Sequence, residues 1–127
     1  MIAVDTSALM AIVLNEPEAE ACVGAITADD NLMVSAGTVA EALIVSARRN
    51  VGGEMARLIE GAGFEIVSVT ASTARGVADA YGRWGRGVHP AALNFGDCFA
   101  YALAKATGEA LLFKGEDFGF TDIRAHA

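Results

Sequence analysis

The sequence predicts an α/β protein, a three-layer α/β/α domain around a central parallel sheet of four or five short strands. Three observations carry that prediction. Short apolar runs alternate along the chain with longer stretches of helical periodicity. The helical stretches run to roughly ten residues or more, too long for hairpin turns, so right-handed crossovers must join parallel strands. The 127 residues contain no repeat, low-complexity tract or Pro/Ser-rich linker, which makes 1–127 a single domain with one core.

Ile2 to Val4 is the first apolar run, and it ends at Asp5-Thr6-Ser7, whose side-chain oxygens suit a helix start. Strand therefore passes directly into helix. Residues 8 to 14 are apolar on every side, as expected of a helix covered from several directions. A second helix follows Pro17, from Glu18 to about Thr27. Leu32 to Val34 forms the second strand. Val39, Ala40, Leu43, Ile44 and Ala47 then recur at helical spacing as far as Arg48-Arg49, whose charges complement the helix dipole. Gly52-Gly53 precedes a fourth helix with Met55, Leu58 and Ile59 on one face, and Glu65 to Val69 reads as the third strand. Ala74, Val77, Ala78, Tyr81 and Trp84 mark a fifth helix. A glycine-rich loop leads to a sixth helix, Phe95 to Thr107, stopped by Gly108, and then to a fourth strand, Ala110 to Phe113. A last short strand near Asp122 to Arg124 would be the fifth.

Composition narrows the function classes. The longest uninterrupted apolar runs, Ala8 to Leu14 and Cys98 to Ala104, are seven residues each, far below the roughly 20 that a membrane span needs. No basic leader or cleavage signal opens the chain, so a soluble, cytoplasmic protein without a membrane partner is expected. Cys22 and Cys98 lack neighbours at metal or redox spacing and are expected as reduced core thiols. Sixteen acidic residues against nine basic ones give a net charge of −7. That balance argues against loose electrostatic binding of nucleic acid, because each phosphate contact needs a local cation. An enzyme with its cations gathered on one rim is still allowed.

In a parallel sheet, ligands gather beyond the carboxyl ends of the strands. Four acidic positions fall near that edge: Asp5 after the first strand, Glu41 early in the third helix, Asp97 opening the sixth helix, and Glu116-Asp117 past the fourth strand. Each has an ordinary structural role to set beside a chemical one. Asp5 suits a helix cap, although Thr6 or Ser7 would serve as well. Asp97 shares its helix face with Ala100, Tyr101 and Ala104, none of which neutralises it, so it needs a cation, a metal, or the helix dipole with backbone hydrogen bonds. Glu41 sits at the margin of an apolar stripe, where a surface glutamate is also at home. As a set they are more demanding: two carboxylates about 5 Å apart repel by about 3 kcal/mol at an effective dielectric of 20. Three or four converging require a divalent cation or protonation, and without paired His or Cys the site would be all-oxygen, suited to Mg²⁺ or Mn²⁺.

Other chemistries fit worse. The chain has no phosphate-binding loop, no dinucleotide fingerprint after its first strand and no nucleophile elbow, and only His89 and His126 are available to a triad. A phosphatase using Asp5 as nucleophile would lack its usual acid, since Ser7 stands where a second aspartate is expected.

The sequence resembles the PIN-domain ribonucleases, and within them the VapC toxins of bacterial VapBC toxin–antitoxin pairs, over essentially its whole length. The resemblance is carried by Met1-Ile2-Ala3-Val4-Asp5-Thr6-Ser7-Ala8-Leu9, by Glu41, by the run from His89 to Ala104 containing Asn94-Phe95-Gly96-Asp97, and by Leu111 to Phe118. It implies catalytic Asp5, Glu41, Asp97 and Asp117, with Mg²⁺ or Mn²⁺ held chiefly by Asp5 and Asp97. Many relatives carry Thr-x-Asp/Asn-x-Asp-Phe after the fourth strand, whereas this chain has Phe113 and Gly115 at two of those positions. Asp117 precedes Phe118 as in the family, with Glu116 as competitor. Thr6, Ser7, Asn94 and Glu116 are expected to support the acids from behind. Arg83, Arg86, His89 and Lys114 are expected to face RNA. The implied activity is hydrolysis of RNA phosphodiesters, in transfer RNA or other structured RNA, leaving 5′-phosphate and 3′-hydroxyl ends. A VapB antitoxin and a homodimer complete the implication. The alternatives are a stand-alone PIN nuclease of RNA processing, or a non-catalytic binding module that keeps the fold.

Overall fold

A computed structural model describes residues 1–126. Four parallel strands, β1 (Ile2–Val4), β2 (Leu32–Ser35), β3 (Glu65–Val67) and β4 (Ala110–Leu112), lie in the order β3-β2-β1-β4. Ile2 of β1 pairs with Leu32 on one side and Ala110 on the other. The helices are α1 (Thr6–Val13), α2 (Ala19–Ala28), α3 (Ala36–Arg48), α4 (Gly52–Gly61), α5 (Ala71–Trp84) and α6 (Phe95–Thr107). β1, β2 and β4 are short because they are buried on both faces and need only a few apolar residues to span the core.

Alternation divides that core in two. Ile2, Val4, Leu32, Ala110 and Leu112 point into a cluster with α1, α2 and α4. Ala3, Met33 and Leu111 point the other way, against α5 and α6. This period-two division is what a sheet between two helical layers requires. Cys22 and Cys98 are free and buried, one in each cluster. Among the described residues, no helix is long and apolar enough to cross a membrane.

The structure departs from the sequence expectations in three places. The expected strand at 122–124 is reduced to one parallel bridge, Leu111 to Ala125, with Leu111 N–H donating to the Arg124 carbonyl at 2.9 Å and His126 N–H to the Leu111 carbonyl at 2.9 Å. The sheet therefore has four strands. Val69 is exposed and lies outside β3, which stops at Val67 as a largely exposed edge strand. In α3 the apolar stripe faces outward: Leu43 and Ile44 are exposed, while Thr38, Ala42 and Ser46 are buried. Small residues let α3 approach its neighbours closely, and Ser46 satisfies its hydroxyl by donating to the Leu43 carbonyl at 3.2 Å.

The topology fixes where chemistry belongs. The chain builds β1, β2 and β3 outward in one direction, then returns to place β4 on the other side of β1. The switch point therefore lies between the carboxyl ends of β1 and β4, where Asp5 and the segment after Leu112 emerge.

Candidate active site at the carboxyl edge of the sheet

Asp5 leaves β1 in extended conformation and caps α1. Its Oδ2 accepts the Ser7 backbone N–H at 3.0 Å and the Ser7 hydroxyl at 2.7 Å. Ser7 Oγ in turn accepts the Lys114 backbone N–H at 2.9 Å, so its own proton is committed to Asp5. One hydroxyl thus ties the end of β1 to the segment following β4. Asp5 is only 2% exposed, and its Oδ1 is buried without a hydrogen-bond partner. Burial pushes the Asp5 carboxyl up to about 7, against the lowering effect of Ser7, and the charges of Asp97 and Glu41 push in the same direction as burial. The cap expected of Asp5 is present, but it uses one oxygen and leaves the other unsatisfied.

Glu41, half-buried on α3, accepts the Thr6 hydroxyl on Oε1 at 2.6 Å. Its Oε2 rests against the first turn of α6, where a methyl group placed on Gly96 would overlap the carboxylate. Thr6 and Gly96 therefore hold Glu41 from two sides. The sequence carried one signal of this: a poor helix former inside a helix's first turn marks a close approach. Gly96 was legible there only as part of a motif.

Asp97 occupies the third position of α6 and forms a reciprocal capping box. Asn94 Oδ1 accepts the Asp97 N–H at 2.8 Å, and Asp97 Oδ2 accepts the Asn94 N–H at 2.9 Å. Asp97 is half-buried. Its pKa is nevertheless raised, first by desolvation and then by the charges of Glu41 and Asp117; the Asn94 N–H and the Arg86 guanidinium oppose that rise.

After β4, Gly115 takes φ +100, a left-handed conformation suited to glycine, and a short 3-10 helix runs from Asp117 to Phe120. Both Glu116 and Asp117 are exposed. Asp117 is the one whose charge acts on Asp97.

The four expected RNA-facing cations have different surroundings. Lys114 pairs with Glu16 at 3.3 Å, and Arg83 lies 3.9 Å from Asp122 with its guanidinium 4.7 Å from the Trp84 ring centroid. His89 Nδ1 accepts the Ala91 N–H at 3.0 Å, and its ring meets Trp84 edge-on. Arg86 is exposed, makes no ion pair among the described residues, and acts electrostatically on Asp97.

Among the described residues, no three His, Cys, Asp or Glu side chains are gathered closely enough to hold an ion between them. Asp5, Glu41, Asp97 and Asp117 are neighbours that repel one another rather than a closed cage. Mg²⁺ keeps several waters and uses one or two carboxylates, so an open acidic cluster suits it. The buried, unpartnered Asp5 Oδ1 is an oxygen that a cation would satisfy. Both the donor chemistry and the orphaned atom fit an oxygen-ligated divalent ion.

Residues 2–124 match the sequence family described as PIN domain. The chain is 45% identical over 123 residues to ribonuclease VapC30 of Mycobacterium tuberculosis, covering 94% of each. Among solved structures it is similar to Mycobacterium tuberculosis VapC20, described as a sarcin-ricin loop cleaving toxin, with a TM-score of 0.76, 18% identity, and 98% and 99% of the two chains covered. VapBC2 from Rickettsia felis, bound to a DNA fragment from its promoter, gives a TM-score of 0.72 at 13% identity, with 99% of this chain and 98% of that one covered.

Proposed function

The chain belongs to the PIN-domain family and, within it, to the VapC ribonucleases, and from that premise we propose that it is a Mg²⁺- or Mn²⁺-dependent endoribonuclease toxin restrained by a VapB antitoxin. The observation that carries the metal dependence is the buried Asp5 oxygen without a partner, set among Asp97 and Glu41. Asp5 and Asp97 would hold the ion, with Glu41 and Asp117 completing the acidic set. A cation bound there supplies Lewis-acid stabilisation of phosphoryl charge and lowers the pKa of water. The chain's own groups prepare that place. Ser7 fixes which Asp5 oxygen is free, Thr6 aims Glu41, and Asn94 holds Asp97 by its capping box. Glu116 is the alternative fourth acid.

For the substrate, we propose a folded RNA, transfer RNA among the candidates; the VapC20 neighbour is described as acting on the sarcin-ricin loop. Arg86 would meet the phosphate backbone nearest the acids. Arg83, His89 and Lys114 would contribute after exchanging their present partners. For the antitoxin we propose the 560 Å³ groove between α1, α2 and α4, where Ile12, Val23, Ile26 and Leu58 share the lining with Asp29, Asp30 and Arg57. A homodimer would cover the outward stripe of α3. The cytoplasm, where free thiols stay reduced, is the proposed place of action.

Mapping cleavage ends on total RNA tests the activity. Mn²⁺-dependent cuts with 5′-phosphate and 3′-hydroxyl ends, lost in Asp5→Asn and Asp97→Asn, are expected. Cleavage that survives chelation, or 2′,3′-cyclic phosphate ends, would overturn it.

A further inference from the structure

We propose that Phe95, Tyr81 and Arg86 form a subsite that takes an unpaired RNA base and its phosphate beside the acidic centre; this rests on the ribonuclease activity proposed for that centre. Phe95 is 68% exposed, the most exposed large apolar side chain among the described residues. Such exposure is usually found on loose segments, yet Phe95 is the first residue of α6, directly after the Asn94 cap and two positions before Asp97. Its backbone is therefore fixed relative to the site.

The ring is also propped. It stands edge-on against Phe99, with centroids 5.0 Å apart and planes at 79°. Phe99 in turn lies so close over Gly37 that any side chain there would strike it. A rigid, outward aromatic surface is what a splayed base requires, since every base has a face to stack and ordering costs are already met.

Two cavities meet at Phe95. One, toward α3, is lined by Gly37, Ala40, Ile44 and Phe99 with Glu41 at its side, and the rest of its surface is apolar. The other, of 290 Å³, is lined by Tyr81, Arg86, Asn94 and Phe95. In that second cavity Tyr81 is 39% exposed and supplies another aromatic surface, while Arg86 lacks an ion-pair partner among the described residues. An apolar partner chain seated there would strip water from an unpaired guanidinium. A nucleotide supplies both what stacks and what neutralises: a planar base for the rings and a phosphate for Arg86. In a chain of net charge −7, an unpaired cation acting on Asp97 is where a phosphodiester is drawn toward the acids.

The test uses a single-stranded RNA oligonucleotide spanning the mapped cleavage site, intact or with one abasic nucleotide moved along it. Binding is measured by fluorescence anisotropy with Ca²⁺ in place of Mg²⁺. For the wild type, an abasic nucleotide within one or two positions of the cut should weaken binding about tenfold. Phe95→Ala should lose the same factor on intact RNA and become insensitive to the abasic substitution at that position, whereas Phe95→Trp should retain both properties. Arg86→Gln should weaken all oligonucleotides and flatten the salt dependence. If Phe95→Ala keeps wild-type affinity, or keeps the abasic sensitivity, the subsite is overturned while the ribonuclease activity stands. If Phe95→Ala instead changes the sedimentation coefficient and leaves the abasic pattern intact, the occupant is a second copy and the proposal falls. A wild type that cuts no RNA with Mn²⁺ removes the activity and the subsite together.

Discussion

Gly96 shows how one missing side chain shapes the site. The Glu41 carboxylate occupies the space that a methyl group would take, and Thr6 holds it there from the opposite side. Gly96→Ala should therefore cost about 1–3 kcal/mol of stability by overpacking. In a Glu41→Ala background that cost should vanish, and urea denaturation of the four members of the cycle measures the difference. Asp5 makes a second prediction at this scale. Its folded-state carboxyl titrates at about 7 because it is buried, against an ordinary value of 3.8. Between those limits the folded state binds the proton and the unfolded state does not, so stability of metal-free protein falls as pH rises from about 4 to about 7 and is flat above. Asp97, also raised, acts with the same sign. The lowered carboxyls of Asp29 and Asp122 act with the opposite sign, below their ordinary range. Asp5→Asn should remove most of the slope and stabilise metal-free protein at pH 8 by on the order of 4 kcal/mol. Denaturant midpoints across that pH range check it.

At the scale of elements, α6 was legible to its bounds because both ends carry local chemistry: the Asn94 to Asp97 box at one end, and Gly108 in left-handed conformation with φ +73 at the other. Asp97 forms the cap with one carboxylate oxygen, so its structural role leaves room for the chemical role proposed for it. The third helix was legible in extent but not in orientation. Periodicity marks a stripe of Leu43 and Ile44, yet Thr38, Ala42 and Ser46 go inward because their small size permits close packing. Ile44, 58% exposed, should tolerate Glu in the isolated chain within about 0.5 kcal/mol. If the stripe holds a second copy, Ile44→Glu yields monomers in sedimentation velocity; dimers of unchanged affinity would place the interface elsewhere. The last strand failed for a related reason: a single bridge at Leu111 leaves too little pairing to extend a sheet.

For the molecule as a whole, chain order disclosed the architecture, since alternating short strands and helices admit few topologies. It also placed Asp5, Asp97 and Asp117 near one edge, because each follows a strand or opens a helix there, while Glu41 reaches that edge from the second turn of α3. Cation placement was not legible. Arg83 meets Asp122 and Lys114 meets Glu16 across distances that only the folded chain brings together, which leaves Arg86, whose charge acts on Asp97, without an ion pair among the described residues. The fold thus sets like charges around Asp5 and Asp97 near the switch point between β1 and β4, and a divalent ion that binds only the folded state should stabilise it by an amount that grows with the logarithm of its concentration over its dissociation constant. Thermal unfolding at pH 8 during Mn²⁺ titration tests this most directly. Wild type should begin below Asp5→Asn and rise with added Mn²⁺, while the variant stays nearly unchanged. A wild-type midpoint that ignores Mn²⁺, or a variant that rises in parallel with it, would contradict the account.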